Sequence, residues 1–207
     1  MIFYMGFFMD FLPLNHEEDC PEIEGAYLMI KPSSNVARLT QMALLAAISI
    51  VMIIFIRIIF FPVAPFLVYD IADVPILLGA FLLGPAAGMI VLFVVCFVQA
   101  FPLGGSGIFG FIMHFVASGT LILVASYIWK LFKCNTRGMI IGLAAGTVAM
   151  IAITIPLNLV VMPLYGAPIQ VVKEWMIPVI IPFNLIKAGL NSVIFFFVYQ
   201  SLKRILK

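Results

Sequence analysis

The apolar run from Met176 to Tyr199 contains a single charged side chain, Lys187, close to its midpoint. An ammonium at the centre of a bilayer costs roughly 2.5–3.5 kcal/mol on insertion-based scales, so a lysine there calls for a reason. At about 100° per residue, Asn184, Lys187 and Asn191 fall on one helix face about 60° wide, which puts two carboxamides and the ammonium on a single wall. Two carboxamides and an ammonium on one wall are hydrogen-bonding groups that suggest a buried site for a polar ligand. Their chemistry is that of holding a small molecule. The competing reading is a lysine that snorkels to an interface, and its mid-helix position argues against that. His114 and Asn158 join the set from two other apolar segments. His114 also stands near Ala117-Ser118-Gly119, and for it alone a hydrogen bond between helices is the better reading.

These groups need helices to position them, and the composition supplies them. The 207 residues are 65% hydrophobic and only 10% charged, with mean hydropathy +1.24, whereas soluble domains average nearer 45–50% and about 25%. Apolar runs of membrane length recur along the chain. The expected fold is an all-α membrane protein, six transmembrane helices in one compact bundle, with no room for a soluble catalytic domain. Cys20, Cys96 and Cys134 are odd in number and widely spaced, indicating neither a disulfide framework nor a metal site. No cofactor and no nucleic-acid partner are expected.

Residues 1–35 read as an acidic, poorly ordered extension ahead of a transmembrane domain over 36–207. The first 24 residues carry Asp10, Glu17, Glu18, Asp19, Glu22 and Glu24 with no Lys or Arg, and Met29 is an alternative start. The first span is expected from Val36 to about Ile59. Within it Ala43 and Ala47 form a small-xxx-small face, suited either to a partner helix or to internal packing. A Pro-containing loop over 60–70 leads to Asp73, placed to cap the next helix with Pro75 in its first turn. A short second segment ends at Gly84-Pro85 and a third runs over 86–100. A glycine turn follows, then a fourth span over 108–129 and a basic loop over 130–137. A fifth span over 138–165 is expected to break at Pro156, a loop follows over 166–176, and the sixth span closes the chain.

Lys and Arg counts set the orientation. With six crossings, Lys31, Arg38, Lys130, Lys133, Arg137, Lys203, Arg204 and Lys207 share one side, and Arg57 and Lys173 the other. Both termini are therefore expected in the cytoplasm. His114, Asn158 and Asn184 then each lie about six residues from the outward end of a helix, roughly 9 Å below the outer surface. Lys187 lies a turn deeper. The inner half offers no polar track, which disfavours a channel. Asp70 and Asp73 are expected at the outer mouth, leaving no buried carboxylate for proton or sodium coupling and no second carboxylate for acid–base catalysis. What remains is a closed-bottom pocket suited to a flat, largely apolar molecule with hydrogen-bonding edges. A site with neither a through-path nor a nucleotide-binding motif implies a partner that supplies energy.

The carrying residues of a family resemblance are Tyr69-Asp-Ile-Ala-Asp73-Val-Pro75, Gly84-Pro-Ala-Ala-Gly88, Gly105-Ser-Gly107, Met113-His114, Pro156-Leu-Asn158 and Pro182-Phe-Asn184-Leu-Ile-Lys187. Over roughly residues 36–200 the chain resembles the substrate-binding S components of energy-coupling factor (ECF) vitamin transporters, of the riboflavin-specific type. The resemblance implies riboflavin capture from outside, with Asn158, Asn184 and Lys187 on the flavin. Import would require a transmembrane coupling subunit and two ATPase subunits. Ala43 and Ala47 match the family's first-helix motif that docks on the coupling subunit. His114, Asn191 and, nearer the mouth, Tyr69 complete the expected substrate contacts. An S component for thiamin or folate, and a small intramembrane enzyme or structural subunit, are the alternatives. The acidic first 24 residues lie outside the family pattern.

Overall fold

A computed structural model describes residues 34–60, 67–103 and 107–205; the acidic extension expected over 1–35 lies almost wholly outside them. Helix α1 spans Asn35–Phe55, with the Ser34 hydroxyl accepting from the Ala37 amide to cap its start. A two-residue antiparallel ladder follows, β1 (Ile58–Ile59) with β2 (Val68–Tyr69). Then come α2 (Asp73–Leu83), α3 (Pro85–Ala100), α4 (Gly107–Leu131) and α5 (Thr136–Leu164). A short α6 (Ile169–Trp175) leads through one π turn (Met176–Ile180) into α7 (Ile181–Ile205). Helices α1, α4 and α5 and the continuous run Ile169–Ile205 are long and apolar enough to cross a membrane, and α2 and α3 are shorter apolar helices.

Helix α2 is the axis of the bundle. Its eleven residues reach only ~16 Å, about half of a ~30 Å hydrocarbon core, and nearly all are buried. At its far end Gly84, with φ of 101°, makes the reversal into α3 that a side chain would strain. Because α2 is so short, the segment from Leu67 to Ala72 descends into the bundle to reach it. Irregular backbone at that depth is tolerated where protein covers it, and Leu67, Tyr69, Asp70 and Ala72 are all buried. The Ser49 hydroxyl of α1 donates to the Ala72 carbonyl.

Opposite this descent the bundle is filled. Phe81 of α2 packs on Trp129 of α4 and Phe195 of α7 with ring centroids 4.6 and 4.7 Å apart, and Tyr199 closes on the same cluster. Helices α4 and α5 approach backbone to backbone: a Cβ at Gly142 would sit 2.5 Å from the Ala125 carbonyl oxygen, and one at Gly146 2.7 Å from that of Leu121.

Several boundaries differ from the sequence expectation. The first helix stops at Phe55, and the chain turns extended before Ile59. Helix α5 continues through Pro156 and Pro163; each proline removes one amide donor, and packing of neighbouring helices holds the rest. The stretch expected as a loop over 166–176 contains α6. Cys134 is disulfide-bonded, which the count and spacing of the cysteines gave no reason to expect.

Candidate binding site

Asn184, Lys187 and Asn191 are all buried on one face of α7, but they do not all meet the same space. A cavity of about 400 Å³ lies between β2, α3, α4, α5 and α7, within the size range of small-molecule sites. Lys187, Asn184, Asn158 and His114 line it, together with Asp70, Gln99, Cys96, Thr154 and an apolar wall that includes Met113, Met150, Met162 and Phe183. Arg57 and Tyr165 line it too, and both are exposed. Asn191 and Tyr69 are absent from that lining. They stand behind it, with the Tyr69 hydroxyl donating to Asn191 Oδ1 at 3.0 Å.

The two cavity asparagines use their amides alike. Asn158 Nδ2 donates to the Thr154 carbonyl and Asn184 Nδ2 to the Ile180 carbonyl, both at 2.8 Å. A carbonyl oxygen only accepts, so each carboxamide must turn its N–H toward it, and this tie fixes which way the amide faces. Each Oδ1 is left as the free acceptor. That of Asn158 is fully buried without a protein partner, a condition that costs about 1–3 kcal/mol until a donor arrives. The Ile180 carbonyl ends the π turn that contains Pro178, so the irregular start of α7 places the Asn184 acceptor.

Lys187 is not a lone ammonium. Its Nζ lies 3.0 Å from Asp70 Oδ2, with the two side chains 8% and 1% exposed. This corrects the placement of Asp70 and Asp73 at the outer mouth: both are buried, at the level of Lys187. Loop residues ahead of a helix stay at the surface only if that helix begins there, and α2 begins inside the bundle with its first residue, Asp73, fully buried. Asp73 does not cap its helix either, since Ala72 is the N-cap and receives no side-chain bond. Its carboxylate instead accepts from Asn191 Nδ2 at 3.1 Å and lies 3.4 Å from His114 Nε2. His114 Nδ1 is 2.6 Å from Gln99 Oε1. His114 thus combines both readings of it, lining the cavity while bonding across helices. Gln99 and Thr154 were not singled out from sequence, and Asp70 and Asp73 were read there as mouth and cap residues rather than as part of the site. The spacing of Asp70 and Asp73 ahead of so short a helix was the available signal for the acids.

The wall therefore offers carboxamide oxygens as acceptors and an ammonium as donor, on an otherwise apolar and methionine-rich surface. That combination complements a planar molecule whose edge alternates N–H and C=O groups.

Comparison with known proteins points the same way. Residues 37–199 match the family model of the substrate-specific component of ECF transporters. The riboflavin transporter RibU of Staphylococcus aureus (strain TCH60) is 35% identical over 180 residues, covering 82% of this chain and 92% of that protein. The riboflavin transporter FmnP of Bacillus subtilis (strain 168) is 30% identical over 155 residues, 69% of this chain and 80% of that protein. A solved structure described as the S component of a bacterial ECF transporter superposes with a TM-score of 0.71 at 36% identity, covering 84% of this chain and 99% of the other.

Proposed function

The chain belongs to the substrate-specific components of ECF transporters, and from that premise we propose that its cavity captures riboflavin at the extracellular face. It is a multi-pass plasma-membrane transporter component, not an enzyme. The observation that carries the substrate is the cavity wall, in a chain whose relatives are named riboflavin transporters. Asn158 and Asn184 present acceptors and Lys187 a donor, a match to the imide N–H and carbonyls of the isoalloxazine ring. The apolar remainder suits the ring faces and the dimethylbenzene edge. His114 adds a polar contact from α4. Tyr69 and Asn191 act from behind, through the Asp70–Asp73 segment they brace.

In this reading the chain makes six crossings with both termini in the cytoplasm. Residues 1–35 are an extension and residues 36–207 the binding domain. Release to the cytoplasm requires a transmembrane coupling subunit and two ATPase subunits. Ala43 and Ala47 stand exposed on α1, whose buried residues are only Ala46, Ser49 and Ile53. That leaves their small-residue face open to the coupling subunit.

Purification in detergent followed by an absorbance scan tests the substrate. A yellow protein with a flavin spectrum is the expected result. A colourless protein that thiamin or folate saturates, and riboflavin does not, sinks it.

A further inference from the structure

Among the groups lining the cavity, Asp70 is held with particular firmness. Its Oδ1 accepts from the Ala72 amide at 3.2 Å, its backbone carbonyl accepts from Asn191 Nδ2 at 3.2 Å, and its Oδ2 faces Lys187 Nζ at 3.0 Å. Asn191 is itself tied to Tyr69 and Asp73. Asp70 is thus tied through its carboxylate to its own segment at Ala72 and through its backbone to α7 at Asn191, while Lys187 reaches it on four rotatable bonds. Asp70 therefore sets where the ammonium stands, and both members of the pair border the cavity. An isolated ammonium beside a ligand would favour the anionic form of whatever it touches; one already paired at contact distance does so far less.

We infer that Asp70 is a positioning and specificity-determining residue of this site: it holds the Lys187 ammonium beside the ligand and cancels its charge, so that this wall takes an uncharged hydrogen-bonding edge and disfavours an anionic one. The inference rests on the riboflavin reading and adds to it the protonation state in which the flavin ring is bound, the neutral imide. The other titratable or charged groups around the pair are Asp73 from α2, Cys96 from α3, His114 from α4 and Tyr69 from β2, with the exposed Arg57, just ahead of β1, on the lining of the same cavity. Asp73 is engaged by Asn191 and His114, so the balance at Lys187 falls to Asp70.

The test titrates riboflavin bound to the full chain in detergent, following the absorbance change on imide deprotonation, beside free riboflavin in the same buffer. Wild-type protein is expected to hold the neutral imide to at least the pH at which free riboflavin loses its proton. Asp70→Asn is expected to lower the midpoint by about one pH unit or more and to weaken riboflavin binding at neutral pH about tenfold. Asp70→Glu, which keeps the carboxylate, restores most of both. The double variant Asp70→Asn with Lys187→Met removes both charges and returns the midpoint to the wild-type value while affinity stays low. A wild-type midpoint well below that of free riboflavin overturns the inference, as does an Asp70→Asn midpoint equal to wild type or an Asp70→Glu variant that behaves like Asp70→Asn. If Asp70→Asn does not fold, the wild-type titration and the double variant decide, and a double-variant midpoint below wild type counts against the inference. A wild-type chain that binds no flavin overturns this inference and the proposed function together. Tight riboflavin binding with unchanged midpoints overturns this inference alone.

Discussion

Asn158 and Asn184 each donate one amide hydrogen to the carbonyl four residues back and leave the Oδ1 without a protein partner. Truncation of either removes an acceptor without disturbing any other described side chain. Asn158→Ala and Asn184→Ala are each expected to weaken riboflavin binding by about 1–3 kcal/mol, read by titration calorimetry or flavin fluorescence quenching, with thermal stability nearly unchanged. Lys187 behaves differently because Asp70 depends on it. Lys187→Met strands a buried carboxylate and is expected to cost about 3–5 kcal/mol of stability, whereas adding Asp70→Asn recovers most of that loss. Thermal unfolding of the two variants and the wild type checks this. A single variant as stable as wild type would show the pair to be solvated.

At the scale of elements, two features carry the architecture. One is the short α2, which obliges the chain before it to descend and delivers Asp70 and Asp73 to the middle of the bundle. The other is the glycine seam between α4 and α5. Gly142 and Gly146 lie four residues apart, and each faces a backbone carbonyl of α4 at a distance no Cβ tolerates. Gly146→Leu is expected to push α5 off α4 and lower stability by about 2 kcal/mol or more. Because α4 and α5 carry His114 and Asn158 into the cavity, riboflavin binding should weaken with it. A melting temperature equal to wild type would mean that the helices meet elsewhere. The small-residue pair that the sequence pointed to was Ala43 and Ala47 of α1; this seam, and α4 as its other side, emerge only from the packed helices.

For the molecule as a whole, the wall of the cavity and the exposed side of α1 are separate surfaces, so capture and delivery can be broken independently. Ala43→Trp and Ala47→Trp are expected to leave riboflavin affinity within about twofold of wild type, since an exposed substitution away from the site changes little. Both are expected to abolish co-purification with the coupling subunit and uptake by cells. Transport that survives either change would remove α1 from the interface. The filled half of the bundle, with Phe81, Trp129, Phe195 and Tyr199 in contact, is consistent with the proposed dependence on a coupling subunit.

Composition and apolar run length were sufficient to indicate a helical membrane protein, because hydrocarbon forces backbone polar groups into helices whatever the tertiary detail. Helical periodicity also brought Asn184, Lys187 and Asn191 to one buried face. It did not distinguish the cavity wall at Asn184 and Lys187 from the scaffold at Asn191, because one helix face passes both a void and a packed neighbour along its length. Nor did it reveal the partner of Lys187. Asp70 is 117 residues away in sequence, and its depth depends on where a packed helix begins. The sequence determined which groups are too costly to leave unexplained in a bilayer, and the tertiary structure decided which of them meet each other and which remain for a ligand.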